Sequence, residues 1–247
     1  MSKEKQFLIT YYVPITLILS VLGMTAVTAL THRAPFGEAF SFFLFQVFCM
    51  ILPGAAMNAM MPIRQLSRVE NVLMSYVWGY VLNIGVYLLT VPFGLGMYIK
   101  IVYIMLTLLS LGILICRVER RCAAKSRIDR DEIVVIVVIA ILFFLCLVVF
   151  SLRWALTEQG NDFHNDLLFW IGNTIALKEQ FLPIDFRALY GGYKYHYLGS
   201  MQQAVAALVT DMPVFNLAVR YSYIEGVLIL GLSTSCFVIR MVKNWKA

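Results

Sequence analysis

The residues best suited to chemistry in this sequence lie in one polar stretch, residues 160–211. It is the only long polar interval in a chain that is 61% hydrophobic. Its aspartates and histidines are Asp162, Asp166, Asp185, Asp211, His164 and His196. Carboxylate and imidazole side chains are common general acids and bases. Any reaction that this protein performs is therefore expected here.

Asp162 and Asp166 are spaced one helical turn apart, and the surrounding periodicity predicts a helix over 162–179. Its apolar face consists of Phe163, Leu167, Trp170, Ile171, Thr174 and Leu177. Asp162, Asp166 and Asn173 share another face. A helix with this pattern is expected to lie flat in the membrane interface. The two carboxylates would then sit at the outer rim of the bilayer, where a lipid-linked substrate presents its phosphate and reacting carbon.

A second amphipathic helix is predicted over 197–209. Its inward positions are Met201, Val205, Leu208 and Val209. The segment between the two helices is rich in turn-forming residues and carries the aromatic run Tyr193–Tyr197. Asp211 and Pro213 predict the N-cap and first turn of the helix that follows.

Each candidate also has a purely structural interpretation. Asp162 suits a helix N-cap, and Asp166 suits the positive end of the helix dipole. His164 lies two positions from Asp162, so the two side chains point apart on a helix, and no metal site or cofactor is predicted. The tyrosines around His196 are also typical of an interfacial belt.

The composition indicates a helical membrane protein with six spans. The mean hydropathy is +0.80 and only 14% of residues are charged, too few to cover a soluble domain. The apolar runs are long enough for helices that cross a bilayer and do not alternate as barrel strands would. The spans are predicted at about 7–30, 39–61, 72–91, 97–116, 133–152 and 221–240. The fold class is therefore all-α and polytopic, with amphipathic juxtamembrane helices in one long loop, 153–220.

Two features inside the spans stand out. Pro53-Gly54 is expected to kink or break the second span, and small residues there favour close helix contact. Arg220 and Glu225 lie near one end of the last span. An ionisable side chain inside a span is energetically costly unless it is paired or solvated. Glu225 is therefore included among the candidate binding residues. Arg220 could also extend its charged end to the membrane interface.

The basic residues predict the orientation. Thirteen of the 20 Lys and Arg residues fall on one set of loops and termini, and seven fall on the other, much longer side. The positive-inside rule then places both termini in the cytoplasm and loop 153–220 outside the cell membrane. This topology explains the formal charge of +6 without a nucleic-acid partner. None of the five cysteines falls in the polar stretch, so no disulfide framework or CxxC metal site is indicated.

The polar stretch resembles the first outer loop of the GT-C superfamily of membrane glycosyltransferases, especially its uncharacterised branches. The matching elements are Asp162, Phe169-Trp170-Ile171-Gly172-Asn173, Pro183-Ile184-Asp185, Gly191-Gly192 and Tyr195-His196-Tyr197. The preceding four-span unit, with Leu52-Pro53-Gly54, looks like an N-terminal module of some of these proteins. Two domains are therefore expected: 1–131 as the four-span module, and 132–247 as the start of a GT-C-like core.

The resemblance implies transfer of a sugar from a polyprenyl-phosphate donor to an acceptor. An outer-loop Asp would be the general base, with Asp162 at the best-matching position and Asp166 in reserve. Lys194 and His196 would contact the donor phosphate. The other candidate substrate-binding residues are His164, Asn173, Asp185, Tyr195 and Glu225.

A GT-C core has more spans than follow the basic segment here. The chain is therefore expected to be an N-terminal portion of a longer protein, or to work with a membrane partner that supplies the missing spans. The leading hypothesis is a glycosyltransferase acting on cell-envelope glycans. The alternatives are a non-catalytic accessory or scaffold subunit of an envelope-assembly complex and a small transporter.

Overall fold

A computed structural model describes residues 3–61, 66–118, 165–181 and 198–246, together with isolated helical positions between 134 and 149. The described residues form helices and no strand. The α-helices longer than three residues in the continuous described ranges are α1 (Lys3–Thr31), α2 (Phe36–Phe45), α3 (Leu52–Met60), α4 (Arg68–Thr90), α5 (Ile99–Val118), α6 (Asn165–Glu179), α7 (Leu198–Thr210) and α8 (Ser222–Lys246). Two π-helical segments, Gln46–Ile51 and Leu217–Tyr221, precede α3 and α8.

Five described helical segments are long and apolar enough to cross a membrane. They are Tyr12–Thr31, Phe36–Met60, Arg68–Phe93, Gly96–Cys116 and Val214–Met241. They correspond to five of the six predicted spans and confirm the multi-pass helical class. Only isolated positions of the predicted span at 133–152 are described, so the count of six and the loop arrangement stay predictions.

Of the kink or break expected at Pro53, the structure excludes the break. The residue instead follows the π-helical segment Gln46–Ile51, where the wider turn lets the Leu52 N–H donate to the Val47 carbonyl. Proline cannot donate the helical hydrogen bond and its ring crowds the preceding turn. The observed outcome is thus a continuous helical span, Phe36–Met60, with a local change of winding before the proline.

The small residues after Pro53 bring α3 against α4, as predicted. A Cβ added to Gly54 would lie 2.0 Å from the Ser75 carbonyl oxygen, and one added to Gly79 would lie 2.2 Å from the Met50 carbonyl oxygen. Asn58 adds a polar clamp to the same contact by donating to the Ser75 hydroxyl at 3.0 Å. The two helix backbones therefore meet directly along this line.

Helix α4 begins and ends on specific local signals. Ser67 and Glu70 form a capping box, in which the Glu70 N–H donates to Ser67 Oγ and the Ser67 N–H donates to Glu70 Oε2. The turn into α5 uses Gly94 at a φ of 70°, a conformation that glycine adopts without steric cost. The capping box starts α4 at Arg68, four residues before the predicted span.

Helices α6 and α7 run in the same direction as each other and alongside α4. Gly199 of α7 lies beside both Trp170 and Tyr80, and Thr174 of α6 hydrogen-bonds to Gln203. The predicted helices at 162–179 and 197–209 are thus confirmed as Asn165–Glu179 and Leu198–Thr210.

Both helices pack against the spans. Helix α7 is buried on most of its surface and contacts α2, α4 and α5. The polar residues Asn173, Thr174 and Gln202 are buried in this packing. Their side chains bond or pack within the bundle, where a surface helix would direct its polar groups to water. The depth of the pair relative to the bilayer surface stays a prediction.

Helix α8 completes the bundle by packing on α4 and α1. One buried core includes residues of both predicted domains, among them Leu17, Phe42 and Tyr76 with Met201, Tyr221 and Ile224. The four-span unit and the later helices are thus in direct contact. The domain boundary that the sequence predicts near residue 131 stays a prediction.

Candidate functional site

The sequence-predicted site residues fall into three groups. Those outside the described residues are Asp162, His164, Asp185, Lys194, Tyr195 and His196. The backbone of Asp166 lies in the first turn of α6. Asn173 and Glu225 are described in full, and they occupy different helices, α6 and α8.

Asn173 lies in the packed interface of α6, whereas the sequence grouped it with the two aspartates on a polar face. Its side chain is 2% exposed, and its Oδ1 has no hydrogen-bond partner in the described part of the chain. The predicted apolar face is confirmed at Ile171, Thr174 and Leu177, all of them buried. The buried face of α6 therefore extends further round the helix than its apolar residues indicated.

Two side-chain hydrogen bonds hold α6 to the bundle. The Tyr87 hydroxyl on α4 donates to the Leu177 carbonyl at 2.7 Å. Thr174 Oγ1 donates to Gln203 Oε1 on α7 at 3.2 Å. Tyr87 and Thr174 are fully buried, so these bonds are shielded from competing water. The helix that carries Asp166 is thereby fixed relative to the spans.

One further expectation for a charged residue is wrong, and a second charged residue is found to be paired. Asp211 does not cap the next helix. It ends α7 with a φ of 57°, donates its N–H to the Ala207 carbonyl and forms an ion pair with Lys100. Arg220 pairs with Glu38 at 3.0 Å, which is one of the two ways that the sequence left open for it. Lys100 and Glu38 come from distant parts of the chain, so local sequence did not reveal these contacts.

The most developed polar site in the described structure centres on Glu225. Gln46 Nε2 donates to Glu225 Oε1 at 2.6 Å, and Gln202 Nε2 donates to the same oxygen at 3.3 Å. The Tyr76 hydroxyl donates to Gln46 Oε1 at 2.7 Å. We call Glu225, Gln46, Gln202 and Tyr76 the Glu225 cluster. It joins the first π-helical segment, α4, α7 and α8.

The cluster continues into a wider polar network. Gln202 Nε2 also approaches Met50 Sδ at 3.1 Å, and Asn83 donates to the same sulfur. The Tyr103 hydroxyl of α5 in turn donates to Asn83 Oδ1. Five helical elements of the bundle therefore share one buried hydrogen-bonded network.

The Glu225 cluster lies well inside the spans. Gln46 is ten residues from the start of the Phe36–Met60 segment, which corresponds to about 15 Å along the helix axis. Tyr76 is eight residues from the start of Arg68–Phe93, or about 12 Å. Glu225 is itself eleven residues from the start of Val214–Met241, so its carboxyl group lies about three helical turns inside that segment.

Sequence reasoning identified Glu225 but missed its partners. Gln46 interrupts an otherwise apolar run, and this was the signal available for it. Gln202 and Tyr76 gave no such signal, because glutamine is ordinary on an amphipathic helix and tyrosine is ordinary in a span.

Within the described residues, no group of three or more His, Cys, Asp or Glu side chains is placed to hold a metal ion. The arrangement can instead bind a proton, orient a polar group or stabilise the bundle. Comparison of the chain with protein-family models, curated proteins and solved structures finds no match.

Proposed function

We propose that this protein is a GT-C-like membrane glycosyltransferase. It transfers a sugar from a polyprenyl-phosphate donor to a cell-envelope acceptor on the outer face of the cell membrane. The resemblance of the polar stretch supports this assignment. The observation that carries it is the anchoring of α6, since this helix bears Asp166 in its first turn and is bonded to α4 through Tyr87.

The proposed reaction gives Asp162 or Asp166 the role of general base. The carboxylate accepts the proton of an acceptor hydroxyl as that oxygen forms a bond to the anomeric carbon of the sugar. The bond between the anomeric carbon and the donor phosphate oxygen breaks, and the polyprenyl phosphate leaves with the electron pair. Lys194 and His196 are proposed to bind that phosphate.

Anchoring of α6 is relevant because a base must be held in place to act. Correct placement of reacting groups contributes several kcal/mol to rate enhancement, and small misplacements are costly. The Tyr87–Leu177 and Thr174–Gln203 hydrogen bonds restrict the motion of α6 relative to α4 and α7. A helix that simply rested on the lipid surface would lack this restriction.

The test compares Asp162→Asn and Asp166→Asn with Glu179→Gln. Glu179 is an exposed acid at the end of the same helix and serves as the matched control. Membrane vesicles from the native host, with and without each variant, are supplied with radiolabelled polyprenyl-phosphate sugar. We expect the base variant to lose sugar transfer by about 100-fold or more, with unchanged protein level, while Glu179→Gln transfers normally.

Full transfer in both aspartate variants would refute the base assignment. If both variants also support growth and the protein co-purifies with a stable partner in mild detergent, the accessory-subunit alternative replaces catalysis. Substrate-driven uptake by sealed vesicles would instead favour the transporter alternative.

A further inference from the structure

Glu225 stays a candidate substrate-binding residue from the sequence, but the proton and bond transfers of the proposed reaction do not involve its cluster. The composition of the cluster is unusual for the interior of a membrane bundle. Glu225 is 9% exposed, Gln202 is 1% exposed, and Gln46 and Tyr76 are fully buried. Ionisable residues buried in a membrane bundle are rare and mark functional sites unless they are paired. The cluster is therefore a candidate for a second functional site.

No cation neutralises Glu225 among the described residues. The basic residues of its own span are engaged elsewhere, Arg220 with Glu38 and Arg240 with Glu70. Glu225 accepts two hydrogen bonds from neutral side-chain amides, and both are accepted by Oε1. A buried unpaired carboxylate costs several kcal/mol, whereas a neutral carboxylic acid avoids most of that cost.

The other groups facing the cluster do not supply a positive charge either. Helix α7 has no titratable residue. Helix α4 carries the phenols Tyr76 and Tyr80, and the first π-helical segment carries the buried thiol of Cys49. Helix α1 and the second π-helical segment also contact α8. The titratable groups among their described side chains are Tyr12, Tyr221 and the paired Arg220. Phenols and thiols are ordinarily uncharged at neutral pH.

The side-chain oxygen of Gln202 lacks a hydrogen-bond donor. Gln202 Oε1 is buried and has no hydrogen-bond partner in the described part of the chain. The oxygen and nitrogen of an amide are at most about 2.6 Å apart. Because Gln202 Nε2 lies 3.3 Å from Glu225 Oε1, the unpaired oxygen lies within about 6 Å of that carboxyl oxygen.

We propose that Glu225 and Gln202 form a proton-binding site in the interior of the bundle. The proton resides on Glu225 Oε2 and is donated to Gln202 Oε1, while Glu225 Oε1 accepts the amide N–H groups of Gln46 and Gln202. Loss of the proton leaves a carboxylate facing an amide oxygen and weakens the attachment of α7 to α8. The site therefore links the position of α7 to pH.

A proton fits this site better than a metal cation. Sodium, calcium and magnesium ions require several oxygen ligands, with six or more typical for calcium. The described cluster supplies the Glu225 carboxyl and Gln202 Oε1, whereas Gln46 Oε1 already accepts from Tyr76. One acceptor and one carboxyl group suffice for a proton.

The test is infrared difference spectroscopy of the 247-residue chain in lipid nanodiscs, recorded between acid and alkaline buffer. We expect a protonated-carboxyl stretch at neutral pH in the wild type and its complete loss in Glu225→Gln. Glu70→Gln is the matched control. Glu70 is ion-paired with Arg240, and glutamine also serves in a capping box, so this variant should keep both the fold and the band.

Gln202→Leu tests the pairing separately and remains informative if Glu225→Gln fails to fold. Removal of the acceptor should move the band to higher frequency and speed hydrogen exchange in α7. A neutral-pH spectrum that is the same in wild type and Glu225→Gln would overturn the proposal. So would an unmoved band in Gln202→Leu, or displacement of the proton by added sodium.

These measurements need no substrate and no transfer activity. A failure of the sugar-transfer assay would therefore leave the proton site standing, and the reverse also holds.

Discussion

Replacement of Gly54 by alanine is the sharpest structural perturbation available in this protein. The new methyl carbon would lie 2.0 Å from the Ser75 carbonyl oxygen and 2.6 Å from the Gly79 nitrogen. Both atoms belong to the α4 backbone, which cannot move aside by rotating a side chain. Ordinary contact begins at 3.4 Å, so α3 and α4 must separate.

The expected cost follows from that separation. Overpacking a well-filled core typically costs about 1–3 kcal/mol, and a clash against backbone belongs at the upper end. Separation also lengthens the Asn58–Ser75 hydrogen bond, now 3.0 Å, and interhelical bonds in membrane proteins average about 0.6 kcal/mol. We therefore expect Gly54→Ala to lower the free energy of unfolding by about 3 kcal/mol or more. Gly79→Ala should behave similarly.

The assay is reversible unfolding in mixed micelles at increasing denaturing-detergent fraction, followed by circular dichroism. Gly85→Ala is the matched control, because Gly85 lies on α4 with nothing within 4 Å of an added Cβ. It should be neutral or stabilising by up to about 1 kcal/mol, since alanine favours helix. Equal stabilities for Gly54→Ala and Gly85→Ala would refute the close contact between α3 and α4.

Two further perturbations test contacts that position α6 and the last span. Tyr87→Phe removes the hydroxyl that donates to the Leu177 carbonyl, a loss of about 1 kcal/mol, so amide hydrogen exchange in α6 should become about 5-fold faster. The control is Tyr98→Phe, at a half-exposed tyrosine. Equal exchange rates in the two variants would count against the contact between Tyr87 and α6. Glu38→Gln and Arg220→Gln, singly and together, should show a coupling of about 1 kcal/mol in a double-mutant cycle of unfolding, because both side chains are only about one-fifth exposed. Additive effects would show that the ion pair contributes no stability.

Much of the fold could be predicted because its signals are local. Hydropathy located five spans that the structure describes, and 3.6-residue periodicity located α6 and α7. The small residues around Gly54 correctly predicted a close helix contact. A break at Pro53 was ruled out only by the structure, because a π-helical segment depends on how the whole turn packs.

The candidate site was less predictable because its contacts join distant parts of the chain. Glu225 stood out as an acid in a span, but Gln46 precedes it by 179 residues. Asp211 was assigned to the wrong role for a related reason. Its neighbours suit an N-cap, while the chain geometry turns it into the end of α7 facing Lys100.

The sequence by itself determined that this is a helical membrane protein, because spans of this length and apolarity have no stable alternative to helix in a bilayer. It also determined which stretch is polar and where an acid enters a span. Only the tertiary structure decided that α7 packs inside the bundle and that Gln46, Tyr76 and Gln202 converge on Glu225. Hydrogen-bond partners in a bundle depend on which helix faces meet, and the pattern of a single helix does not contain that information.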